Sequence, residues 1–403
     1  MGTLKRSYPP LAIHGGKPVR DRLLPYGRQA VDEDDIRAVV DVLRSDWLTT
    51  GPKVREFEEA LAARVGALFA VTFSSGTAAL HAAAFVAGLG PGDEAITTPL
   101  TFAATANCVL YNGATPVFAD ICADTLNLDP QQVRQRITSR SKAILPVDYA
   151  GHPADLDAFM EMAGEHNLIV IEDAAHALGA TYHNKRVGSL AHMTVFSFHP
   201  VKHITTGEGG MVVTNNEELA QRLRIFRSHG INSDPRERSI AGQWYYEMID
   251  LGYNYRLPDI NCALGLSQLG RLDKNLARRR EVARRYDNAF GENEAILTPL
   301  VRPLVEPAWH LYPVRIADEL DRGEVFKALR AENLGVNVHY IPVHLQPYYR
   351  EHFGYRAGNY PAAEKAYSQL ISLPMFHSMT DRDVDDVIVA VGKVTEGLRA
   401  NAK

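Results

Sequence analysis

The fold of this chain is indicated best by the stretch Phe196-Ser197-Phe198-His199-Pro200-Val201-Lys202-His203-Ile204-Thr205-Thr206-Gly207-Glu208-Gly209-Gly210. It reads as an apolar strand that runs into a glycine-rich turn with one lysine, Lys202. A lysine amine attacks carbonyl groups only when a confined pocket lowers its pKa, and pyridoxal phosphate enzymes hold their cofactor on such a residue as a Schiff base. Lys202 is therefore the candidate nucleophile. The alternative interpretation is a solvated loop lysine.

Composition predicts a large globular protein, and it disfavours several classes of partner. The chain has 403 residues with 46% hydrophobic content, enough for a sizeable core and two domains of unequal size. Its 43 basic and 48 acidic residues give a formal net charge of -5, which leaves no basic excess for binding nucleic acid or an anionic membrane. We expect neither nucleic acid nor a membrane as a partner.

Three further observations concern location, disulfides and metals. Residues 1–6 lack the apolar region of a secretory signal, and no run approaches the roughly 20 apolar residues of a membrane span, so we expect a cytoplasmic protein. The cysteines, Cys108, Cys122 and Cys262, are far apart and odd in number, which favours reduced thiols that serve packing. The 15 histidines show no metal-ligand spacing, so we expect no metal.

Apolar runs alternate with amphipathic stretches along the chain, which predicts an α/β fold with a mainly parallel sheet. Helices are predicted over residues 52–65 and from Gly76 onward. The predicted strands are residues 69–73, 94–97, 117–120, 142–147, 168–172, 194–198 and 211–214. Ligands of such sheets bind at the carboxyl ends of the strands, where the candidate residues lie.

We predict three regions: an N-terminal arm over residues 1–30, a large domain over 31–270, and a connecting helix with a smaller C-terminal domain over 271–403. Residues 266–290 predict one long charged helix, whose arginines 278–280 and 284–285 most simply form a solvated face. In the arm, glycines and a proline predict turns rather than core.

Three segments that follow predicted strands are candidates for binding a ligand. Ser74-Ser75-Gly76-Thr77-Ala78-Ala79-Leu80 opens a helix, so it can bind a phosphate, or it can simply cap the helix. Asp173 can pair with a protonated pyridine nitrogen or cap a helix, and His176 can be a ligand or a core histidine. Phe102 can stack on a planar cofactor or pack in the core.

Together these motifs resemble those of the DegT/DnrJ/EryC1/StrS sugar aminotransferases. The resemblance runs from about Gly15 to Lys393, and it rests on residues 75–80, 172–176, 197–210 and 251–257 in that order. It implies a fold-type I aminotransferase that depends on pyridoxal phosphate (PLP, with its amino form PMP). The implied large domain holds a mainly parallel seven-stranded sheet, and the smaller C-terminal domain is α+β. A homodimer with active sites at the subunit interface is also implied.

The resemblance assigns roles to particular positions. Lys202 would carry the cofactor and shuttle protons, Asp173 would pair with the pyridine nitrogen, and Phe102 would stack on the ring. The residues implied at the cofactor phosphate are Gly76, Thr77, Ser197 and, from the second subunit, Asn254. His176 stands where many members have glutamine, and its contact with the cofactor's 3-hydroxyl is implied.

The same histidine occurs in the branch of the family that acts in pseudaminic acid synthesis, which is also similar over residues 196–210 and 252–269. This implies transfer of an amino group from L-glutamate to C4 of a UDP-linked 2-acetamido-2,6-dideoxy-4-keto-hexose. Candidate substrate contacts are His229, Arg256, His339 and Tyr340. Ordinary loop or strand structure, or a surface ion pair for Arg256, is the alternative.

Other functions stay open at this stage. The amino acceptor can be another nucleotide-linked keto sugar: a dTDP-4-keto-6-deoxyhexose, a 3-keto sugar or a UDP-4-keto-pentose. The related sugar 3-dehydratases carry histidine at the Schiff-base position, which His203 would occupy if the register shifted by one residue. A non-catalytic regulator on the same scaffold is the third alternative, although no added DNA-binding segment is visible.

Overall fold

The computed structural model describes residues 9–401, and its centre is a seven-stranded sheet. The strands of the molecule are β1 (Phe69–Phe73), β2 (Glu94–Thr97), β3 (Thr115–Phe118), β4 (Ser141–Leu145), β5 (Ile169–Asp173), β6 (Thr181–Tyr182), β7 (Lys185–Arg186), β8 (Met193–Ser197), β9 (Gly210–Thr214), β10 (Ile296–Leu297), β11 (Val305–Glu306), β12 (Tyr312–Ile316) and β13 (Leu370–Leu373). The large sheet has the order β1-β9-β8-β5-β4-β2-β3. Neighbours from β8 to β3 are parallel, and β9 is antiparallel to both β1 and β8. The predicted mainly parallel α/β sheet is confirmed.

The helices are α1 (Glu33–Leu43), α2 (Pro52–Val65), α3 (Gly76–Val86), α4 (Ala103–Tyr111), α5 (Pro130–Arg134), α6 (Leu156–His166), α7 (Glu217–Arg227), α8 (Pro235–Ile240), α9 (Asp259–Leu269), α10 (Leu272–Phe290), α11 (Arg322–Ala331), α12 (Pro347–Phe353), α13 (Pro361–Gln369) and α14 (Asp381–Asn401). The predicted bounds of α2, β1 and β2 agree with the structure. The other predicted strands differ from the structure by one or two residues at their ends, because the ends of an apolar run do not coincide with those of the hydrogen-bonded ladder. Among the described residues, no helix is long and apolar enough to cross a membrane.

Helices cover both faces of the large sheet. Val71 and Val212 face α3, α4 and α7, whereas their neighbours Ala70 and Val213 face α2 and α9. Side chains of a strand alternate between the two faces, and both faces are buried here, so the strands read as continuous apolar runs. The arrangement leaves the carboxyl ends of the parallel strands as the place where polar side chains can gather.

The C-terminal part has its own core around the antiparallel sheet β10-β12-β13, packed against α10, α11 and α14. The N-terminal segment joins this core, since Leu11 and Leu24 are buried in it and Leu24 pairs with Leu334. The expectation that this segment forms turns without core was therefore incomplete. Its backbone is also held by Glu332, which accepts hydrogen bonds from Ala12 and Val19.

The long charged helix expected over residues 266–290 was wrong in two respects. The chain forms two helices, because Arg271 leaves helical geometry (φ -107°, ψ 3°) between α9 and α10. The arginines do not share one solvated face. Arg278 and Arg285 lie near the surface and pair with Asp381, whereas Arg279 is only 1% exposed. Helical rotation by about 100° per residue turns Arg279 toward the core.

Candidate active site

The candidate site lies where the parallel neighbours β5 and β8 end. Asp173 is the last residue of β5, and it pairs in register with Val195 of β8. The chain leaves β8 at Ser197 and enters the turn that contains Lys202, whose N–H donates to the carbonyl of His199 at 2.9 Å. Because adjacent parallel strands end at the same edge, the two segments bring a carboxylate and an amine to one place.

Asp173 is buried, and both of its carboxylate oxygens accept hydrogen bonds from neutral groups. The Thr105 hydroxyl donates to Oδ2 at 2.7 Å, and the N–H of Ala175 donates to Oδ1 at 3.1 Å. Burial raises the pKa of Asp173, while these hydrogen bonds and the charge of Lys202 act in the opposite direction. The hydrogen bond from Ala175 resembles that of a helix cap, which was the alternative interpretation of Asp173. However, a turn rather than a helix follows this residue. A buried carboxylate in such a setting favours a cationic ligand.

Lys202 is half-buried, and its amine has no hydrogen-bond partner within residues 9–401. Burial lowers the pKa of Lys202 to about 8, against the opposing charge of Asp173 and with a contribution from Arg279. About a tenth of the amine is therefore unprotonated at pH 7 and about half at pH 8. The amine is chemically suited to attack a carbonyl carbon and to take up or release a proton.

The amino end of α3 forms a narrow cradle against β8 and β9. A Cβ atom at Gly76 would lie 3.1 Å from Cβ of Ser197, and one at Gly210 would lie 2.5 Å from the carbonyl oxygen of Ser75. Ser75 caps the helix by accepting from the N–H of Ala78 at 3.1 Å. The N–H groups of Gly76 and Thr77 donate to no partner in the described part of the chain, so they and the helix dipole can bind an anion.

His176 and Tyr340 form a second polar pair near the strand ends. Nε2 of His176 lies 3.0 Å from the Tyr340 hydroxyl, and its Nδ1 has no partner among the described residues. Burial, with the nearby Lys202, His339 and His203, holds the pKa of His176 well below its usual value, so the ring is neutral. A neutral imidazole with one free nitrogen can exchange a hydrogen bond with a ligand hydroxyl.

Phe102 and His339 flank this pair. The Phe102 ring is 60% exposed and its centroid lies 6.1 Å from that of Tyr340, so Phe102 is not a core residue in this chain. His339 is buried, and its Nδ1 lies 2.9 Å from the Ser372 hydroxyl. Burial, with the charge of Lys202, lowers the pKa of His339 to about 4. Both rings therefore lie beside Tyr340, since the centroid of His339 is 5.0 Å from that of Tyr340.

The remaining predicted residues lie on a separate, largely exposed segment, residues 228–256, which runs from the end of α7 to the start of α9. His229 follows α7 in the left-handed region (φ 62°), and its N–H donates to the carbonyl of Tyr253 at 3.0 Å. Asn254 is exposed and forms a bridge with Ser228. Arg256 is half-buried and forms no ion pair with a carboxylate among the described side chains, which gives the surface-pair interpretation no support. No described hydrogen bond or ring contact joins these three residues to Lys202 or Tyr340.

Sequence reasoning missed two residues that the structure brings to the site. Thr105 is the direct hydrogen-bond donor to Asp173, and its hydroxyl lies 2.9 Å from that of Thr101. The sequence did contain one signal: Thr101 and Thr105 are four residues apart around the start of α4, and residues at that spacing lie on one side of a helix. The Tyr26 ring packs against that of His339, with the centroids 5.1 Å apart and the planes tilted by 54°, and nothing in the local sequence around this tyrosine indicates a site.

Comparison with known proteins gives a consistent result. The model of the DegT/DnrJ/EryC1/StrS aminotransferase family matches residues 29–392. The chain is 45% identical over 383 residues to SpsC of Bacillus subtilis, a spore coat polysaccharide biosynthesis protein, which covers 94% of this chain and 98% of SpsC.

Two solved structures are also similar. The putative sugar aminotransferase Spr1654 of Streptococcus pneumoniae, in its PMP form, has a TM-score of 0.88 at 34% identity, covering 93% of this chain and 100% of that one. Helicobacter pylori PseC, an aminotransferase involved in the biosynthesis of pseudoaminic acid, has a TM-score of 0.86 at 34% identity, covering 94% and 100%.

Proposed function

The chain belongs to the DegT/DnrJ/EryC1/StrS aminotransferase family, and from this premise we propose that it moves an amino group from L-glutamate to C4 of a UDP-linked 2-acetamido-2,6-dideoxy-4-keto-hexose. Members of the family are sugar aminotransferases that depend on PLP. The observation that carries the proposal is the pairing of a buried carboxylate, Asp173, with an amine, Lys202, whose pKa is lowered to about 8. That pair is what a PLP aminotransferase needs at the two ends of its cofactor.

The residues present fit PLP. Asp173 has only neutral hydrogen-bond donors, Thr105 and Ala175, so a protonated ring nitrogen would supply the cation that its burial favours. The uncommitted N–H groups of Gly76 and Thr77, in a cradle too narrow for added side chains, suit the phosphate. When bound, the cofactor supplies an electron sink that draws electrons from the carbon bearing the amino group.

The chain's own groups divide the work of the two half-reactions. Nζ of Lys202 takes the proton from Cα of glutamate, and in the second half-reaction it delivers a proton to C4 of the sugar. Asp173 keeps the ring nitrogen protonated. His176, oriented by Tyr340, exchanges a hydrogen bond with the cofactor's 3-hydroxyl, and Phe102 offers its exposed face to the ring. Ser197 contributes its hydroxyl to the phosphate cradle.

The choice of lysine over histidine at the reactive position has support from geometry. Nε2 of His203 is 2.9 Å from the carbonyl oxygen of Ala308, so this nitrogen already has a partner, and the residue is buried. The charges that act on Asp173 include that of Lys202. A histidine that reacts at this position, as in the related dehydratases, is therefore disfavoured, and transamination is the expected reaction.

The sugar assignment is supported by similarity to PseC and by the presence of His339 and Tyr340 beside His176. These groups can donate to and accept from sugar hydroxyls and an acetamido group. Arg256, which lacks a carboxylate partner among the described residues, suits the diphosphate or the glutamate carboxylate. His229 lies on the same exposed segment and is assigned with it to the sugar nucleotide.

A second candidate acceptor is another nucleotide-linked keto sugar. The observation that favours it is the identity to SpsC, 45% against 34% for PseC. A dTDP-4-keto-6-deoxyhexose, a 3-keto sugar and a UDP-4-keto-pentose differ from the first candidate by a few hydrogen bonds and by one methyl or acetamido group. Differences of that size change binding by about 1–3 kcal/mol when only apolar contacts are involved.

We further propose that two copies of the chain form the working enzyme. Apolar side chains cluster on the exposed segment between α8 and α9, including Trp244 at 83% and Leu251 at 66% exposure. An apolar surface of this kind is typical of a protein interface. With this segment against a second copy, Asn254 would reach the phosphate cradle of the other subunit.

The experiment that tests the reaction is an absorbance titration of the purified protein with PLP. Glutamate should convert the visible cofactor band to the PMP spectrum, and one C5 epimer of the UDP-linked 4-keto sugar should restore it. Restoration by a dTDP-linked 4-keto sugar alone would support the second candidate. A band that glutamate does not change would contradict aminotransferase activity with this donor.

A further inference from the structure

A group of buried bases lies near Lys202. Its members are His203 at the end of the lysine turn, His310 from the loop before β12, and Arg279 from α10, all of them buried. Nδ1 of each histidine and Nε of Arg279 have no hydrogen-bond partner among the described residues. The function proposed above leaves Arg279 without a role.

Arg279 is a buried guanidinium without a carboxylate. Its Nη1 donates to the carbonyl oxygens of Trp309 at 3.0 Å, His310 at 3.2 Å and Met375 at 3.0 Å. No ion pair within residues 9–401 involves Arg279, whereas its neighbour Arg278 pairs with Glu281 and Asp381. Burying a charge without a counter-charge lowers the stability of the fold, because the charge loses its hydration. Such a residue is therefore unusual unless its charge serves the function of the protein.

Residues 308–310 connect Arg279 with the reactive lysine. Arg279 holds the carbonyls of Trp309 and His310, while Nε2 of His203, the residue after Lys202, lies 2.9 Å from the carbonyl oxygen of Ala308. The His310 ring lies 4.3 Å from that of His176 and 5.7 Å from that of His203. One short segment is thus fixed on one side by Arg279 and on the other by the lysine turn.

We propose that Arg279 is a positioning residue for Lys202: it fixes the 308–310 segment against the lysine turn and places an unneutralised positive charge near the reactive amine. The inference rests on the proposed function, because it assigns Arg279 a part in preparing Lys202 for the cofactor. Arg279 acts through charge and packing, and it touches neither cofactor nor substrate.

The charges around Lys202 agree with this role. From β5, Asp173 favours the protonated amine, and from α10, Arg279 disfavours it. The surrounding histidines, His176, His203, His310 and His339, carry no charge at neutral pH, since burial lowers the pKa of each. Arg279 is therefore the permanent cation that offsets Asp173, and its pKa of about 10 keeps it charged at neutral pH.

The test measures how fast the apoprotein bonds to PLP as a function of pH. The nitrogen of Lys202 forms a C=N bond to the aldehyde carbon, and the aldehyde oxygen leaves as water with the two amine protons, so the rate follows the unprotonated fraction of Lys202. Wild-type protein should show a midpoint near pH 8. Arg279→Gln keeps a donor for the carbonyls and removes the charge, so the midpoint should rise by roughly one pH unit. At pH values below the midpoint, the variant should therefore react about tenfold more slowly than wild type.

Three variants control this measurement. Arg279→Lys restores the charge and should return the midpoint toward the wild-type value. Arg278→Gln removes the adjacent, carboxylate-paired arginine and should leave the midpoint unchanged. Lys202→Ala should give no bonded cofactor at all, which assigns the signal to Lys202.

A second route leaves Arg279 in place, in case Arg279→Gln fails to fold. His377 is half-buried, and Arg279 and Arg271 help burial to lower its pKa to about 4. His377→Glu introduces a carboxylate beside Arg279 and should raise the midpoint, whereas the matched neutral change His377→Gln should not. Circular dichroism and a thermal melt establish which variants are folded.

The outcomes separate this inference from the proposed function. An unchanged midpoint in folded Arg279→Gln, or in His377→Glu when that variant is the one available, overturns the role of Arg279 and leaves the aminotransferase assignment standing. Wild-type protein that forms no Lys202-linked cofactor contradicts both. A raised midpoint in the charge-removing or charge-neutralising variant, with rescue by Arg279→Lys, supports the inference.

Discussion

The base of the pocket around Asp173 and Lys202 differs sharply from the exposed segment that carries His229, Asn254 and Arg256. At the base, the polar atoms of Asp173 have partners within the chain, and the carboxylate and amine lie at neighbouring strand ends. On the segment, large apolar side chains face solvent, and Arg256 has no carboxylate partner in the described part of the chain. The difference shows that one chain assembles the base by itself, and it supports the proposal that the exposed segment completes a site together with a second copy.

The largest effect should come from Lys202→Ala at the base. Loss of the amine removes the cofactor attachment and the proton carrier together, so steady-state turnover and the visible cofactor band should both disappear while the fold is kept. The exposed Lys185, on β7, provides the matched control, and Lys185→Ala should behave as wild type. Normal turnover in folded Lys202→Ala would contradict the assignment of Lys202 as the residue that holds the cofactor.

Asp173→Ala should be the next largest effect. Removal of the carboxylate leaves the ring nitrogen without its counter-charge, and turnover should fall by orders of magnitude. Thr105→Val removes only the hydroxyl that donates to Asp173 and should cost about 1.5–3 kcal/mol, the range for a hydrogen bond to a charged group. Steady-state kinetics of both variants with glutamate and the keto sugar measure these effects. Equal, small losses would mean that Asp173 is merely a local cap.

The exposed segment can be tested by mixing two inactive chains. If Asn254 acts on the other subunit's cradle, Lys202→Ala and Asn254→Ala chains refolded together should regain activity, because each mixed dimer has one site with both residues intact. Random pairing predicts about a quarter of the wild-type activity. Absence of any recovery, with mixed dimers shown by native mass spectrometry, would place Asn254 in its own chain's site or outside it.

Replacing apolar side chains of the proposed interface should change the oligomeric state of the protein. Trp244→Ser with Leu251→Ser removes two large exposed apolar side chains, and burial of each would stabilise a dimer by about 1.5–3 kcal/mol. A dimer held by this surface should therefore dissociate at a higher protein concentration than wild type. Sedimentation measurements across a concentration series detect this. Leu68→Ser, an equally exposed leucine far along the sequence, is the control. An unchanged dissociation constant of the dimer would show that the interface lies on another surface.

The smallest effect should follow from Tyr340→Phe. The hydroxyl of Tyr340 positions His176 at 3.0 Å, and loss of one such neutral hydrogen bond costs about 1 kcal/mol, a several-fold change in turnover. His176→Gln, the residue more often found in the family, should retain activity because glutamine can also donate to a hydroxyl. A loss as large as that of Asp173→Ala would indicate that His176 has a chemical role of its own.

The sequence allowed the sheet and the base of the site to be predicted, because both depend on local patterns. Apolar runs identify strands, and the residues just after them gather at one edge, which is how Asp173, His176 and Lys202 were found. Arg279 was misassigned to a solvated face, because a charged residue in a run of arginines gives no local sign of burial. Tyr26 reaches the site through tertiary packing that neighbouring residues do not encode, and for Thr105 the only local signal was its spacing of four residues from Thr101.

The central claim is that the Lys202 amine holds the cofactor. Incubation of the protein with PLP, reduction of the C=N bond by borohydride, and peptide mass mapping test it most directly, since reduction makes the bond permanent. A pyridoxyl-phosphate mass on the peptide that contains Lys202, and on no other lysine at one equivalent of cofactor, is the predicted result. The modification of a different lysine, or of none, would contradict the account.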